Sequence, residues 1–187
     1  MLATAGSDGT VRLWDTVTRH QIGAAITVPG DNGAGVEGVA FSPNGQLLAT
    51  AGSDGMVRLW DTVTRHQIGT VITVPGGGVL GVGFSPNGQL LATADGDGTV
   101  RLWDTVSRHQ IGAAITVPSD GGDVYGVAFS PNGQLLATAG SDGTVRLWDV
   151  AFPGNLLSAV CAIAGRSLTP EEWNTDVQSE PFRQICP

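Results

Sequence analysis

An all-β repeat fold, built from small antiparallel sheets of four strands, is predicted by three observations. The stretch Phe41–Asp61, FSPNGQLLATAGSDGMVRLWD, returns almost unchanged at Phe84–Asp104 and Phe129–Asp149, and its second half opens the chain at Leu2–Asp15. Turn dipeptides divide the stretch: Asn44-Gly45 sits before the Leu47–Ala51 run, and Asp54-Gly55 separates that run from Met56–Trp60. Asn-Gly is the strongest short hairpin signal, and it predicts a type I′ turn with positive φ at both central residues. The last run alternates with period two at Val57-Arg58-Leu59-Trp60, as a strand does.

The elements follow in order within one unit. Val36–Phe41 is the first strand, Leu47–Ala51 the second and Met56–Trp60 the third. Gln67–Val74 is rich in Ile and Val and is predicted as the fourth, ended by Pro75. One sheet face carries aromatics and the other Val, Leu and Ala, so neither is polar enough to face water and each sheet should be covered on both sides. Trp14, Trp60, Trp103 and Trp148 are spaced by 46, 43 and 45 residues. A unit this long and this regular marks propeller blades or a solenoid. The differences in length fall in the glycine-rich links Gly30–Gly35, Gly76–Gly78 and Ser119–Gly122, which leaves the strands constant. Boundaries between units therefore lie near 29–35, 75–78 and 118–123.

Composition agrees and excludes several functions. The 28 glycines show no Gly-X-Y period, so a turn-rich β protein is favoured over collagen. Arginine supplies all 9 basic residues and the net charge is −8, which opposes nucleic acid as a partner. No run approaches the about 20 apolar residues of a membrane helix, and Met1-Leu2-Ala3-Thr4 does not begin a secretory signal. A cytoplasmic protein without membrane attachment is expected. Cys161 and Cys186 lie in the tail, either as free thiols or, in an oxidising compartment, as a pair.

The repeated stretch resembles the WD-repeat family, whose blades end in Trp-Asp. The dipeptide occurs at Trp14-Asp15, Trp60-Asp61, Trp103-Asp104 and Trp148-Asp149. The family's Asp six residues before the Trp is matched by Asp8, Asp54, Asp97 and Asp142, and its Ser or Thr four residues earlier by Thr4, Thr50, Thr93 and Thr138. The resemblance implies a hydrogen-bonded network of these side chains with a His from a Gly-His pair. That pair is absent here: His20, His66 and His109 occupy the turn after each Trp-Asp. A Thr–Asp–Trp triad in each blade is therefore expected in place of a tetrad.

The strands add up to about three and a half blades. The chain opens with the last three strands of one blade, two full blades follow, and Val124–Phe129, Leu135–Ala139 and Thr144–Trp148 give three strands of another. The fold class is thus a partial β-propeller over 1–149, followed by a tail over 150–187. A start in mid-blade points to a piece of a longer repeat protein, and the unclosed blade faces leave self-association open. In the tail, Asn155–Ala164 is predicted as a short apolar helix. A second helix begins at Thr169-Pro170-Glu171-Glu172, an N-cap, N1 proline and capping box. The tail order, from Ala164-Gly165-Arg166 through Glu171-Glu172-Trp173 to Glu180-Pro181-Phe182 and Cys186-Pro187, resembles the C-terminal extension of large bacterial multidomain WD-repeat proteins. Many of those carry a signalling NTPase or protein kinase domain. The resemblance implies that the tail caps the last blade.

No residue set points to catalysis. The repeated aspartates and histidines are distributed one per blade, whereas catalytic carboxylates and metal ligands must converge. No metal and no cofactor is expected. Arg12, Arg58, Arg101 and Arg146, two residues before each Trp, are explained by stacking on an aromatic ring or by pairing with a nearby Asp. Blades differ most where the first strand begins, at Glu37, Leu80 and Tyr125, and these three form the candidate partner surface. The expected function is a non-catalytic protein-interaction scaffold or regulatory sensor module within a larger bacterial signalling protein. Its alternatives are a truncated structural piece without a role of its own and an enzyme using a central pocket.

Overall fold

A computed structural model describes residues 1–29, 35–118 and 122–150. The expected tail helices, the capping role and both cysteines lie outside the described residues. Within them, fourteen strands form four antiparallel meanders. Blade 1 holds β1 (Leu2–Ala5), β2 (Thr10–Trp14) and β3 (Ile26–Thr27). Blade 2 holds β4 (Val36–Phe41), β5 (Leu47–Gly52), β6 (Met56–Asp61) and β7 (Ile72–Thr73). Blade 3 holds β8 (Val79–Phe84), β9 (Leu90–Asp95), β10 (Thr99–Asp104) and β11 (Gln110–Thr116), and blade 4 holds β12 (Val124–Phe129), β13 (Leu135–Gly140) and β14 (Val145–Asp149). The architecture is a partial WD-like propeller, all β in its described part. No helix among the described residues is long and apolar enough to cross a membrane.

Two expectations about local structure change. The turns are not type I′: Asn44 and Asp54 keep negative φ, and only the glycines after them are left-handed, at φ 71° for Gly45 and 75° for Gly55. Gly45 N donates to Ser42 O at 2.8 Å, which closes a type I turn over Pro43-Asn44 before the left-handed glycine. Proline fixes its own φ near −65°, which suits the first central position of type I and forbids I′ there. The fourth strand is also shorter than Gln67–Val74. It pairs as Ile72–Thr73, and Gln67 makes a single bridge to Trp60, with the left-handed Gly69 between them. In blade 3, where Gly112 is left-handed too, both ends of the segment pair and are joined across an irregularity between Val100 and Leu102.

The period-two pattern sorts each middle pair of strands into two faces. In blade 2, cross-strand partners Leu48↔Trp60 and Thr50↔Arg58 share one face, and Ala49↔Leu59 and Ala51↔Val57 share the other. Both faces are buried. The Val/Leu face of one blade packs on the Trp face of the next: Val11 and Leu13 cluster with Leu48 and Trp60, and Val57 and Leu59 with Leu91 and Trp103. The core therefore lies between sheets, and each blade is stable only against its neighbours.

The first strands approach most closely. A Cβ on Gly38 would stand 3.3 Å from Leu80 O and Gly81 Cα, and one on Gly81 would stand 2.8 Å from Tyr125 O. Backbone occupies the place a side chain would need at Gly81, so that position requires glycine, and Gly38 is tightly packed in the same way. At Gly126, in blade 4, a Cβ would meet among the described residues only Ala139 Cβ, at an ordinary 3.8 Å. Gly81→Ala is therefore expected to lower stability by about 1–3 kcal/mol, as overpacking does, and Gly126→Ala to change it little. Urea unfolding of the two variants checks the difference.

Candidate interaction face and the blade clamps

The repeated Thr, Asp and Trp are joined differently from a triad. Each Trp Nε1 donates to its Thr hydroxyl: Trp14 to Thr4, Trp60 to Thr50 and Trp148 to Thr138 at 3.0 Å, and Trp103 to Thr93 at 3.1 Å. Thr50 and Thr93 are buried, so this bond satisfies an indole N–H and a hydroxyl that water does not reach. The aspartates belong to a second network. Asp8, Asp54, Asp97 and Asp142 accept the backbone N–H two residues on, which fixes the turn. Each also pairs with the arginine four residues on: Asp8–Arg12 at 3.0 Å, Asp54–Arg58 at 2.8 Å, Asp97–Arg101 at 2.9 Å and Asp142–Arg146 at 2.8 Å. Of the two roles open to these arginines, the structure shows pairing with Asp. Because Thr10 and Arg12 hold the Asp8 carboxylate, it stays down at about 2, and Arg146 and Thr144 do the same for Asp142.

Blade 3 departs from this pattern at Asp95, where the other blades carry Gly6, Gly52 and Gly140. Asp95 is buried and accepts from Arg101 Nη1 at 2.5 Å, so one guanidinium holds two carboxylates, Asp95 and Asp97. Its second oxygen, Oδ1, has no partner. Burial pushes the Asp95 carboxyl up to about 6, against the opposing pull of Arg101.

The Asp of each Trp-Asp has its own task. Asp61 Oδ1 accepts from Thr64 N at 2.6 Å and Val63 N at 3.1 Å, and Asp15 and Asp104 repeat the arrangement. These backbone donors lower all three carboxyls. The turn they hold places Arg19, Arg65 and Arg108 in the left-handed region at φ 60°, 61° and 62°. Arg108 donates to Ile68 O at 2.9 Å and Arg65 reaches Ala24 O at 3.5 Å, so each guanidinium straps its blade to the preceding one. Sequence reasoning missed these straps. The signal was present in Gly23 and Gly69, whose missing side chains leave room for the arginines. His20, His66 and His109 are exposed in the same turns. Among the described residues, no three His, Cys, Asp or Glu side chains gather as a metal site.

Glu37, Leu80 and Tyr125 occupy a feature that the sequence did not reveal. In each first strand the pairing jumps by one residue, between Val36 and Gly38, Val79 and Gly81, and Val124 and Gly126. The skipped residue is Glu37, Leu80 or Tyr125, so all three are β-bulges, which unpair a residue from the ladder and re-aim its side chain. The close approach of Gly38 to Leu80 O and of Gly81 to Tyr125 O sets the bulges side by side in one row across three blades. Glu37 is exposed, Leu80 half-buried and Tyr125 57% exposed.

Stacked antiparallel meanders of three or four strands, each clamped by a Thr–Trp bond that is buried in blades 2 and 3 and closed by Trp-Asp, define a propeller-type repeat protein. The family model described as WD domain, G-beta repeat, matches residues 1–15, 25–61, 68–104 and 114–149, and the chain belongs to this family. Each of the three longer matches starts at the outer strand of one sheet and runs through the first three strands of the next. No curated protein matches the chain.

Two predictions follow from the clamps. Trp60→Ala should cost about 3–5 kcal/mol, the range for truncating a buried aromatic residue. Trp14→Ala, on a half-exposed ring, should cost clearly less, and His66→Ala close to nothing; urea unfolding ranks the three. Asp95 has a folded-state pKa above its unfolded value, so between about pH 4 and pH 6 the folded chain holds the extra proton and stability falls as pH rises. Relative to the wild type, Asp95→Asn should therefore gain about 2–3 kcal/mol between those limits. Thermal unfolding of both proteins at pH 4 and pH 7 measures the gain.

Proposed function

We propose that the chain is a non-catalytic protein-interaction platform whose docking face is the row of bulges Glu37, Leu80 and Tyr125. Repeats of the WD40 family generally mediate protein–protein interaction. The observation that carries the reading here is a coincidence of place. The first strands are nearly invariant, as Val-x-Gly-Val-Ala/Gly-Phe, and the position that varies in each is the bulged one. The fold needs a bulge there but no particular side chain, so Glu, Leu and Tyr are free to serve recognition. An exposed Tyr is a suitable anchor, since it brings a large apolar ring and a hydroxyl at little entropic cost.

The tail resemblance to large bacterial multidomain WD-repeat proteins supports a regulatory sensor role for this module inside a larger signalling protein. The acidic, arginine-only charge set is in keeping with a cytoplasmic protein partner rather than nucleic acid. A photo-crosslinking residue at position 125 is expected to trap a partner. With that partner in hand, Tyr125→Ala should weaken binding about tenfold or more, the loss typical of an anchor, while Val106→Ala, at an exposed turn away from the row, leaves it unchanged. Equal affinity of Tyr125→Ala and wild type by calorimetry would overturn the assignment.

A further inference from the structure

Among the described residues, the first and last sheets each expose one face. Val145 and Leu147 of blade 4 are 70% and 66% exposed, whereas their equivalents Val57 and Leu59 in blade 2 are 0% and 2% exposed. Leu2 of blade 1 is 54% exposed, whereas Leu48, Leu91 and Leu136 at the same position are fully buried. The open face of blade 4 is the Val/Leu type, and that of blade 1 is the Leu/Thr/Arg/Trp type, with Leu2↔Trp14 and Thr4↔Arg12 as its cross-strand pairs.

These two faces are complementary, and the chain itself demonstrates it. Leu2–Asp15 and Leu136–Asp149 have the same sequence, LATAGSDGTVRLWD. The Val/Leu face open in blade 4 is therefore the face that blade 1, through Val11 and Leu13, already seats on Leu48 and Trp60. The Leu/Thr/Arg/Trp face open in blade 1 has its counterpart in blade 4, where Leu136 and Thr138 are buried and β12 packs on β8, β9 and β10. Each open face thus has an identical copy elsewhere in the molecule resting on the other kind of face.

We propose that a second copy of this chain covers the open face of blade 4, docking the β1–β2 face of its blade 1 on β13–β14. The contact continues the blade-on-blade packing already made between blades 1 and 2, 2 and 3, and 3 and 4. Among the described residues blade 1 holds three strands without an inner one and blade 4 three without an outer one, and the middle strands that carry the matching positions are present on both sides. The interface is heterologous, with each copy offering one face of each kind, so two copies satisfy all four faces when the ring closes. This docking uses neither Tyr125 nor its row and stands apart from the platform reading.

Sedimentation equilibrium of the full chain is expected to give a mass at least twice 19.1 kDa. Leu147→Glu and Leu2→Glu replace exposed residues, so both variants should fold, as circular dichroism verifies. Each alone is expected to be monomeric, with association at least about tenfold weaker, because a carboxylate would be buried unpaired. An equimolar mixture of the two restores a dimer, since the intact blade 4 face of one meets the intact blade 1 face of the other. A face-to-face contact between identical surfaces would leave one variant dimeric alone and the mixture no better, which would overturn the head-to-tail docking. A monomeric wild type at about 100 μM, whether its open face is covered by residues 151–187 or awaits a different protein, would overturn it as well.

Discussion

Everything in this molecule depends on one contact, the seating of a Val/Leu sheet face on the Leu/Trp face of the next sheet. A single meander of four short strands buries too little surface to be stable alone. Val11, Leu13, Leu48 and Trp60 in one interface, and Val57, Leu59, Leu91 and Trp103 in the next, supply the burial that each sheet lacks. Close approach of the inner strands is what lets those side chains meet, and it is bought with Gly38 and Gly81, where the neighbouring backbone fills the space of a Cβ.

The polar groups are arranged around that contact according to how dry they are. The Thr–Trp bond lies inside the interface and joins two neutral groups, so no charge has to be desolvated. The Asp–Arg pair stands at the turn. In blade 2 it is already largely enclosed, with Arg58 and Asp54 at 5% and 12% side-chain exposure, and in blade 1 it is far more open. Blade 3 places an additional carboxylate in this setting. Asp95 shares Arg101 with Asp97 and leaves one oxygen unpaired, which is why burial outweighs the guanidinium and its proton is held more tightly.

The strands were legible because their signals are local. Val57-Arg58-Leu59-Trp60 alternates, Gly45 and Gly55 punctuate, and the first strands expected over Val36–Phe41 and Val124–Phe129 have those bounds. Features that depend on a neighbouring blade were not legible. The Arg65 and Arg108 straps cross between sheets that the sequence places about 40 residues apart. The bulges appear only in the pairing register. The Asn-Gly dipeptide does not centre its turn: Pro43, whose fixed φ suits the first central position of type I, sets the turn over Pro43-Asn44. Assigning Thr, Asp and Trp to one triad failed for a geometric reason. Thr50 and Trp60 are cross-strand neighbours through Leu48 and Arg58 on one face, while Asp54 lies at the turn, within reach of Arg58 instead.

Near-identity of the blades has a consequence for how variation can carry function. A substitution on either sheet face must suit the opposite face of the adjacent blade, so the faces are constrained in pairs and remain constant. The bulged residue is outside the ladder. The bulge is the place where Glu37, Leu80 and Tyr125 can differ without disturbing the stack. The same constraint makes the end faces indistinguishable from interior ones. A fold that holds together by repeating one self-complementary contact has no chemical means of marking where the repetition should stop, and only a cover of the right shape ends it.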